Sequence, residues 1–415
     1  MKKFNKNWVT LLILALAGGL VYKIPYLKYS YYDALVEALN VDNTQLGVLV
    51  SAFGISSMIC YFPGGWIADR FSPKSLLSFN FIALGVLGLL YSRFPSYNVV
   101  LGIHILYGAI ICLTYWSVAI KAVRMLSTGG DIGKMFGFWE GGKQISGLII
   151  SYSALAIFAK FNEAKLGISM IIVIYSVVLI SVGVALMFML KDVGKGEKTA
   201  VKIKDLFTII ADPRAWLFGL LIFTAYHFHI GLNMITPYLT KQFGLSTTMA
   251  SGISMFVLYV VGFMGAATAG ILVDKFASTL KVLRTLMIFA ILSLVIYILV
   301  PAKPQFLFIV IGMWAVAQFI NFSIRGVYFS SLKDMGVGVE KTGLFIGFAS
   351  FVGFIPDTYF HIVTGGLLDK FPGDLGFKYI FIYMLVMTII CFAAITRLLK
   401  KYGSNKEETV EKLSA

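Results

Sequence analysis

Gly65-Trp66-Ile67-Ala68-Asp69-Arg70-Phe71-Ser72 returns 205 residues later as Gly270-Ile271-Leu272-Val273-Asp274-Lys275-Phe276-Ala277. Both copies read glycine, three mostly apolar residues, aspartate, a base, phenylalanine and a small residue. Each follows one long apolar stretch and precedes another. The echo extends further: Ile24-Pro25-Tyr26-Leu27 is answered by Thr236-Pro237-Tyr238-Leu239, with 44 residues from proline to aspartate in the first copy and 37 in the second. Tyr115-Trp116-Ser117 loosely parallels Asn321-Phe322-Ser323. The chain therefore reads as two similar halves running in the same direction.

The solvent of those halves follows from composition. Hydrophobic residues make up 59% of the 415 and charged residues 13%, and the mean hydropathy is +0.86. A water-soluble domain carries about 25% charged residues, so most of this chain is dissolved in lipid. Apolar stretches fall near 8–31, 45–67, 75–92, 98–122, 135–159, 168–190, 215–238, 248–272, 281–300, 305–329, 342–366 and 377–397. At about 20 residues per span, these are twelve transmembrane helices, an all-α membrane protein of two six-helix bundles. Parallel repeats of this kind are a transporter architecture. Residues 1–190 form the expected first bundle, 191–214 a cytoplasmic linker, 215–399 the second bundle and 400–415 a tail. Within the linker, Val201–Ile210 is expected to form a short amphipathic helix.

Net charge of +15 would suit a nucleic-acid partner, but the bases alternate between loops instead of lining one face. Twelve spans put both termini on one side. That side, with the even-to-odd loops, holds 24 of the 35 bases; the other holds 7, and Lys23, Lys28, Lys143 and Arg325 lie in or at the edge of spans. Positive residues mark the cytoplasmic side, so both termini are expected inside an inner (cytoplasmic) membrane, with no nucleic-acid partner. Lys2, Lys3 and Lys6 ahead of Trp8–Val21 imitate a signal peptide, but no small-residue cleavage site follows. An uncleaved first span is expected. Cys60, Cys112 and Cys391 all lie in apolar stretches and read as buried packing. No zinc spacing, disulfide framework, Walker A, Gly-x-Ser-x-Gly or His-Glu-x-x-His pattern occurs. No enzyme activity, metal or cofactor is expected.

Twelve spans in two parallel halves, with Gly-x-x-x-Asp-Arg/Lys after spans two and eight, resemble the major facilitator superfamily. Ser72-Pro73 departs from the family pattern, which has Gly-Arg there. Glu140-Gly141-Gly142-Lys143, Arg325-Gly326-Val327-Tyr328 and Gly353-Phe354-Ile355-Pro356-Asp357 look like a bacterial subgroup described as sugar-phosphate- or nitrate-permease-like. That subgroup is more distantly similar to the organophosphate:phosphate antiporters. The resemblance implies that Gly65, Asp69, Arg70, Gly270, Asp274 and Lys275 lie in gating loops, tying neighbouring helices together on the cytoplasmic face. The alternative is an ordinary solvated loop.

The intramembrane charges carry the rest. A charge within a span costs a few kcal/mol, so Arg325 must face a partner or a wet cavity. A guanidinium holds a carboxylate or phosphate in a two-pronged fork, and Tyr328 lies one turn on. The other reading of Arg325 is structural, paired with Asp357. Glu140 and Lys143, three apart on one helix, share a face. They form either an internal ion pair or a proton-coupling pair that cargo breaks. Lys23, deeper than Lys28, sits among Tyr22, Tyr26 and Tyr29, whereas Lys28 is expected to reach the outer interface. His227 and His229 point about 200° apart on a helix. One of them lines a cavity, or both are satisfied packing residues.

More bases than acids in the membrane favour an anion. The expected function is secondary active transport of a small organic anion (a sugar acid, carboxylate or sugar phosphate) by alternating access, as symport with protons or as antiport against a counter-anion. Arg325, Lys143, Lys23, Tyr26, Tyr328 and His227 are the expected binding residues, and Glu140 and Asp357 serve proton coupling or internal pairing. A monomer in the bilayer is expected. The alternatives are a carrier of neutral or amphipathic compounds whose bases are structural, and a transport-fold sensor.

Overall fold

In the computed structural model, residues 6–126, 132–190, 208–276, 278–337 and 339–402 are described. The side chains of Gly65, Asp69, Glu140, Gly270 and Asp274 lie outside that description, as do residues 191–207 of the expected linker and 403–415 of the tail. Ten of the described helices are long and apolar enough to cross a membrane, and Asn7–Leu20 is a shorter apolar helix. The protein is an all-helical, multi-pass membrane protein, as its hydropathy predicts.

Two compact units divide the chain. The first comprises 1–199 together with 246–255 and 361–365; the second comprises 200–245, 256–360 and 366–415.

The first unit contains α1 (Lys6–Leu20), α2 (Tyr32–Leu39), α3 (Asn43–Arg70), α4 (Pro73–Tyr91), α5 (Tyr97–Thr114), α6 (Trp116–Leu126), α7 (Ile132–Phe158) and α8 (Ala164–Met189). Local chemistry sets several of their ends. Asn40, with φ of 51°, stops α2 in the left-handed conformation that asparagine tolerates. Asp42 and Gln45 then close a capping box on α3: the Asp42 carboxylate accepts from Gln45 N–H at 2.6 Å, and Gln45 Oε1 accepts from Asp42 N–H at 3.1 Å. Pro73 opens α4 where its missing N–H costs no hydrogen bond. In this unit α3 packs on α5, α4 on α8 and α1 on α7.

After the linker the chain forms α9 (Pro213–Gly231), α10 (Ile235–Phe243), α11 (Thr247–Phe256), α12 (Gly262–Phe276), α13 (Thr279–Leu299), α14 (Leu307–Val327), α15 (Ser331–Asp334), α16 (Val339–Gly353), α17 (Phe360–Lys370) and α18 (Asp374–Tyr402). Here α12 packs on α14, α13 on α18 and α9 on α16. By span number these are the same three pairings as in the first unit: second on fourth, third on sixth, first on fifth. The sequence repeat is thus a repeat of packing.

Several spans are broken, which hydropathy does not reveal. Span one ends its α-helix at Leu20 and continues through turns to the 3₁₀ turn Leu27–Tyr29. Span seven breaks at Leu232–Met234, which ends three residues before Pro237, the proline that echoes Pro25 in the repeat. Span four is interrupted at Tyr115, span ten closes into the 3₁₀ turn Tyr328–Ser330, and span eleven is interrupted by the turn Ile355–Thr358 around Pro356. Non-helical backbone at membrane depth is tolerated only where protein or a wet cavity covers it. Irregular segments at corresponding places in two halves point to a binding region.

The repeated octapeptide needs correction. It is not a loop: Gly65–Arg70 are the last residues of α3 and Gly270–Phe276 the last of α12. Each base therefore ends its helix where the negative pole of the dipole favours it.

Candidate functional site

Span ten carries Gln318, Asn321, Arg325 and Tyr328, spaced three, four and three apart, so one helix face is polar within an apolar segment. The second unit arranges this stripe against α9. Arg325 Nη1 donates to His229 Nε2 at 2.8 Å. An arginine only donates, and its shorter contact assigns the lone pair to Nε2 and the ring proton to Nδ1, from which the same Nη1 lies 3.3 Å. Asn321 Nδ2 lies 3.0 Å from Nδ1 and donates to Gln318 Oε1 at 2.8 Å. A proton on Nδ1 requires both amides turned end for end, so that Asn321 Oδ1 accepts from the ring and from the Gln318 amide nitrogen. Phe322 backs the guanidinium, 5.8 Å from ring centroid to Cζ. Tyr328, buried one turn on, also interacts with Arg325. Arg325 and His229 are both half-buried. Among the described residues no carboxylate lies within ion-pair distance of Arg325.

Asp357 belongs to a neighbouring contact of the same unit. Its Oδ2 accepts from Tyr226 O–H at 2.7 Å, and the Tyr226 ring lies 5.4 Å from that of His229. The pairing with Asp357 that was the structural alternative for Arg325 is not made, and a tyrosine stands next to the carboxylate. His227 is fully buried. Its Nδ1 donates to the Phe223 carbonyl at 2.7 Å, so Nε2 accepts from Tyr359 O–H at 2.8 Å. Both nitrogens thus serve packing in the structure, and of the two histidines it is His229 that meets Arg325.

The first unit gathers a second set. Lys143 on α7 lies 4.0 Å above the Trp139 ring and 5.9 Å from that of Trp116, and the indole N–H of Trp139 donates to the Leu14 carbonyl at 3.3 Å. An ammonium over an indole face is a favourable cation–π contact. Lys23 Nζ donates to Ser151 Oγ at 2.5 Å. Tyr26 stacks on Tyr29 at 4.9 Å and lies 6.2 Å from Tyr22, with Tyr22 in turn 6.3 Å from Tyr115. Gly142 brings α7 within reach of Ala15 on α1, a close approach that small residues allow in lipid. Lys28, by contrast, is 3% exposed and does not reach an interface. Glu140 lies on α7, but its side chain is outside the described residues, so its pairing with Lys143 stays an expectation.

Around the repeated octapeptide, Lys121 Nζ on α6 donates to the Ala68 carbonyl at 2.7 Å. It satisfies one of the acceptors left open at the end of α3. In the second unit Asp334 Oδ2 accepts from Leu280 N–H and from Ser278 O–H, each at 3.0 Å, capping the start of α13. Each unit thus ties its fourth span, or the turn after it, to the segment that begins or ends beside the repeat. Among the described residues no group of three or more His, Cys, Asp and Glu is placed to hold a metal ion.

A family model described as Major Facilitator Superfamily matches residues 11–356. The chain belongs to the Major Facilitator Superfamily. It is a multi-pass secondary transporter, and its family is one of transporters and not enzymes. It is 28% identical over 414 residues to inner membrane protein YihN of Escherichia coli (strain K12), covering 97% of this chain and 98% of that one. A shorter likeness, 29% over 79 residues, links it to the probable galactarate/D-glucarate transporter GudP of Bacillus subtilis (strain 168), covering 19% of this chain and 17% of that one. Among solved structures, a bacterial homolog of the human lysosomal transporter Spinster superposes with a TM-score of 0.78 at 14% identity, over 97% of this chain and 98% of that one. At that identity the likeness is one of fold.

Signals for Asn321, Gln318 and His229 existed in the sequence. The stripe at 318, 321, 325 and 328 is periodic, and Tyr226 and His229 are three apart on α9. Trp139 is four residues from Lys143 on α7 and was legible by the same spacing, whereas Ser151, which meets Lys23, emerges only from packing.

Proposed function

We propose that this transporter moves a small organic anion (a sugar acid, carboxylate or sugar phosphate) across the inner (cytoplasmic) membrane by alternating access, either with protons or in exchange for another anion. The observation that carries the reading is Arg325: a half-buried guanidinium whose partner is a neutral imidazole. Its charge is solvated but not cancelled, and a carboxylate or phosphate offers it a stronger, two-pronged partner. Tyr328 adds a hydroxyl from the same unit. Lys143, Lys23 and Tyr26 are the binding residues proposed from the other unit; Lys143 lies over the Trp139 indole and Lys23 donates to Ser151. His227 is proposed to shape the region through packing. Asp357 and Glu140 are proposed for proton coupling or internal pairing. The partial likeness to GudP, named as a probable transporter of galactarate and D-glucarate, both sugar diacids, supports a sugar acid.

Domain limits of 1–190 and 215–399, cytoplasmic termini, a monomeric state and a gating role for Gly65, Asp69, Arg70, Gly270, Asp274 and Lys275 belong to the same proposal. A second reading, carriage of a neutral or amphipathic compound, is favoured by the tyrosine run at 22, 26 and 29.

Uptake and exchange in proteoliposomes across a panel of labelled anions and neutral sugars separates the two. Anion transport lost in Arg325→Ala and reduced in Lys143→Ala supports the first reading. Full anion transport in both variants, or transport of neutral sugars alone, overturns it.

A further inference from the structure

We propose that His229 is the group that takes up a proton together with the cargo, because the bond it makes to Arg325 and its own protonation exclude one another. The proposal rests on the anion reading above and assigns its coupling residue. Arg325 holds His229 through the Nε2 lone pair, which assigns the ring proton to Nδ1. An imidazolium has no lone pair, so no proton can be added to the ring while the guanidinium occupies it. An anion that takes the guanidinium removes the donor from Nε2. The freed lone pair then accepts one proton from the bulk solution, through the water that admits the anion, while Nδ1–H stays in place. Guanidinium and imidazolium now both face the anion. The cluster goes from one positive charge to two, and a dianion brings the total to zero. The geometry thus points to a dianionic cargo carried with one proton, and linkage requires proton and anion to raise each other's affinity by the same factor.

Other titratable groups around His229 are engaged elsewhere. α9 is packed by α14, α16, α18 and the turns Leu232–Met234 and Ile355–Thr358. α14 supplies Arg325. The turn Ile355–Thr358 supplies Asp357, which is bonded to Tyr226 of α9 itself. From α18, Tyr383 faces His227 at 5.4 Å. Among its described side chains, residues 345–353 of α16 hold no titratable group, and Leu232–Met234 holds none. On α9, His227 is bonded to Phe223 and Tyr359. This assignment leaves Asp357 and Glu140 as internal partners.

Calorimetric binding of D-glucarate and of sulfate, neither of which titrates near neutral pH, in two buffers of different ionisation enthalpy counts the protons taken up. Wild type is expected to take up as much as one proton per dianion between about pH 5 and 8. His229→Gln, which can still accept from Arg325, is expected to bind with no proton uptake. In proteoliposomes its accumulation driven by a pH gradient is expected to fall more than its anion counterflow. Binding without proton uptake in wild type, or equal uptake in His229→Gln, overturns the proposal while leaving the anion reading intact. Failure of both dianions to bind wild type, with neutral sugars bound instead, overturns both.

Discussion

Arg325 is the residue on which the proposed function turns, and its geometry separates charge from shape. Lysine at this position keeps the positive charge and loses the planar fork. One charge-assisted hydrogen bond contributes about 1.5–3 kcal/mol, so Arg325→Lys is expected to weaken anion affinity by roughly ten- to a hundredfold without abolishing it. Competition binding with the transported anion measures this. An unchanged affinity means that the fork does not touch the cargo. Legibility at this level was uneven for a physical reason. A charge in an apolar span is conspicuous in any sequence because its burial is costly, and Arg325, Lys143 and Lys23 stand out at once. The neutral partners are inconspicuous, since glutamine, asparagine and histidine are tolerated in packed spans. Their part appears only when the 318–321–325–328 stripe is set against α9. His227 and His229 show the limit: two residues on one helix, of which packing assigns one to Tyr359 and the other to Arg325.

Helices contribute through where they touch and where they stop. Gly265 on α12 lies so close to the Phe319 carbonyl of α14 that a Cβ has no room, whereas nothing lies within 4 Å of a Cβ at Gly312 on α14. Close approach of this kind holds membrane helices together. Gly265→Ala is therefore expected to lower stability by about 1–3 kcal/mol, the usual cost of overpacking. Gly312→Ala is expected to stay within about 1 kcal/mol of wild type or to gain slightly. Melting in detergent compares the two. The helix ends give a second expectation: Asp334→Ala removes an acceptor shared by Leu280 N–H and Ser278 O–H and is expected to cost about 0.5–2 kcal/mol. The same assay measures it, and a shift no larger than that of Gly312→Ala shows that the cap is replaced by water. The twelve segments were legible because hydrophobicity alone determines whether a stretch enters lipid. Their interruptions were not, because a break at Leu20, Tyr115 or Met234 is stabilised by neighbouring helices that no window of twenty residues contains. Pro25, Pro237 and Pro356 were the local marks of irregular backbone. The family resemblance implies a loop at the octapeptide, yet a terminal base is compatible with a final helical turn, and the helices run on to Arg70 and Phe276.

Over the whole molecule, duplication and charge answer different questions. The duplication was legible in the doubled octapeptide, whereas the pairing of second span with fourth, third with sixth and first with fifth emerges only from the packed helices. Orientation does not follow from the repeat at all; it follows from 24 bases on one face against 7 on the other. That imbalance is large enough that inverting the chain would carry most of its bases across the bilayer, against the bias that sets topology. Cysteine labelling in intact cells tests the assignment. With Cys60, Cys112 and Cys391 replaced, Lys165→Cys in the segment between spans five and six is expected to react with an impermeant maleimide from outside. Lys198→Cys in the linker is expected to react only after the membrane is opened. The opposite pattern reverses the protein, places the octapeptides on the outer face and removes the proposed cytoplasmic role of Asp69, Arg70, Asp274 and Lys275. It would leave Arg325 and His229 untouched, since a site within the membrane is reached from either side.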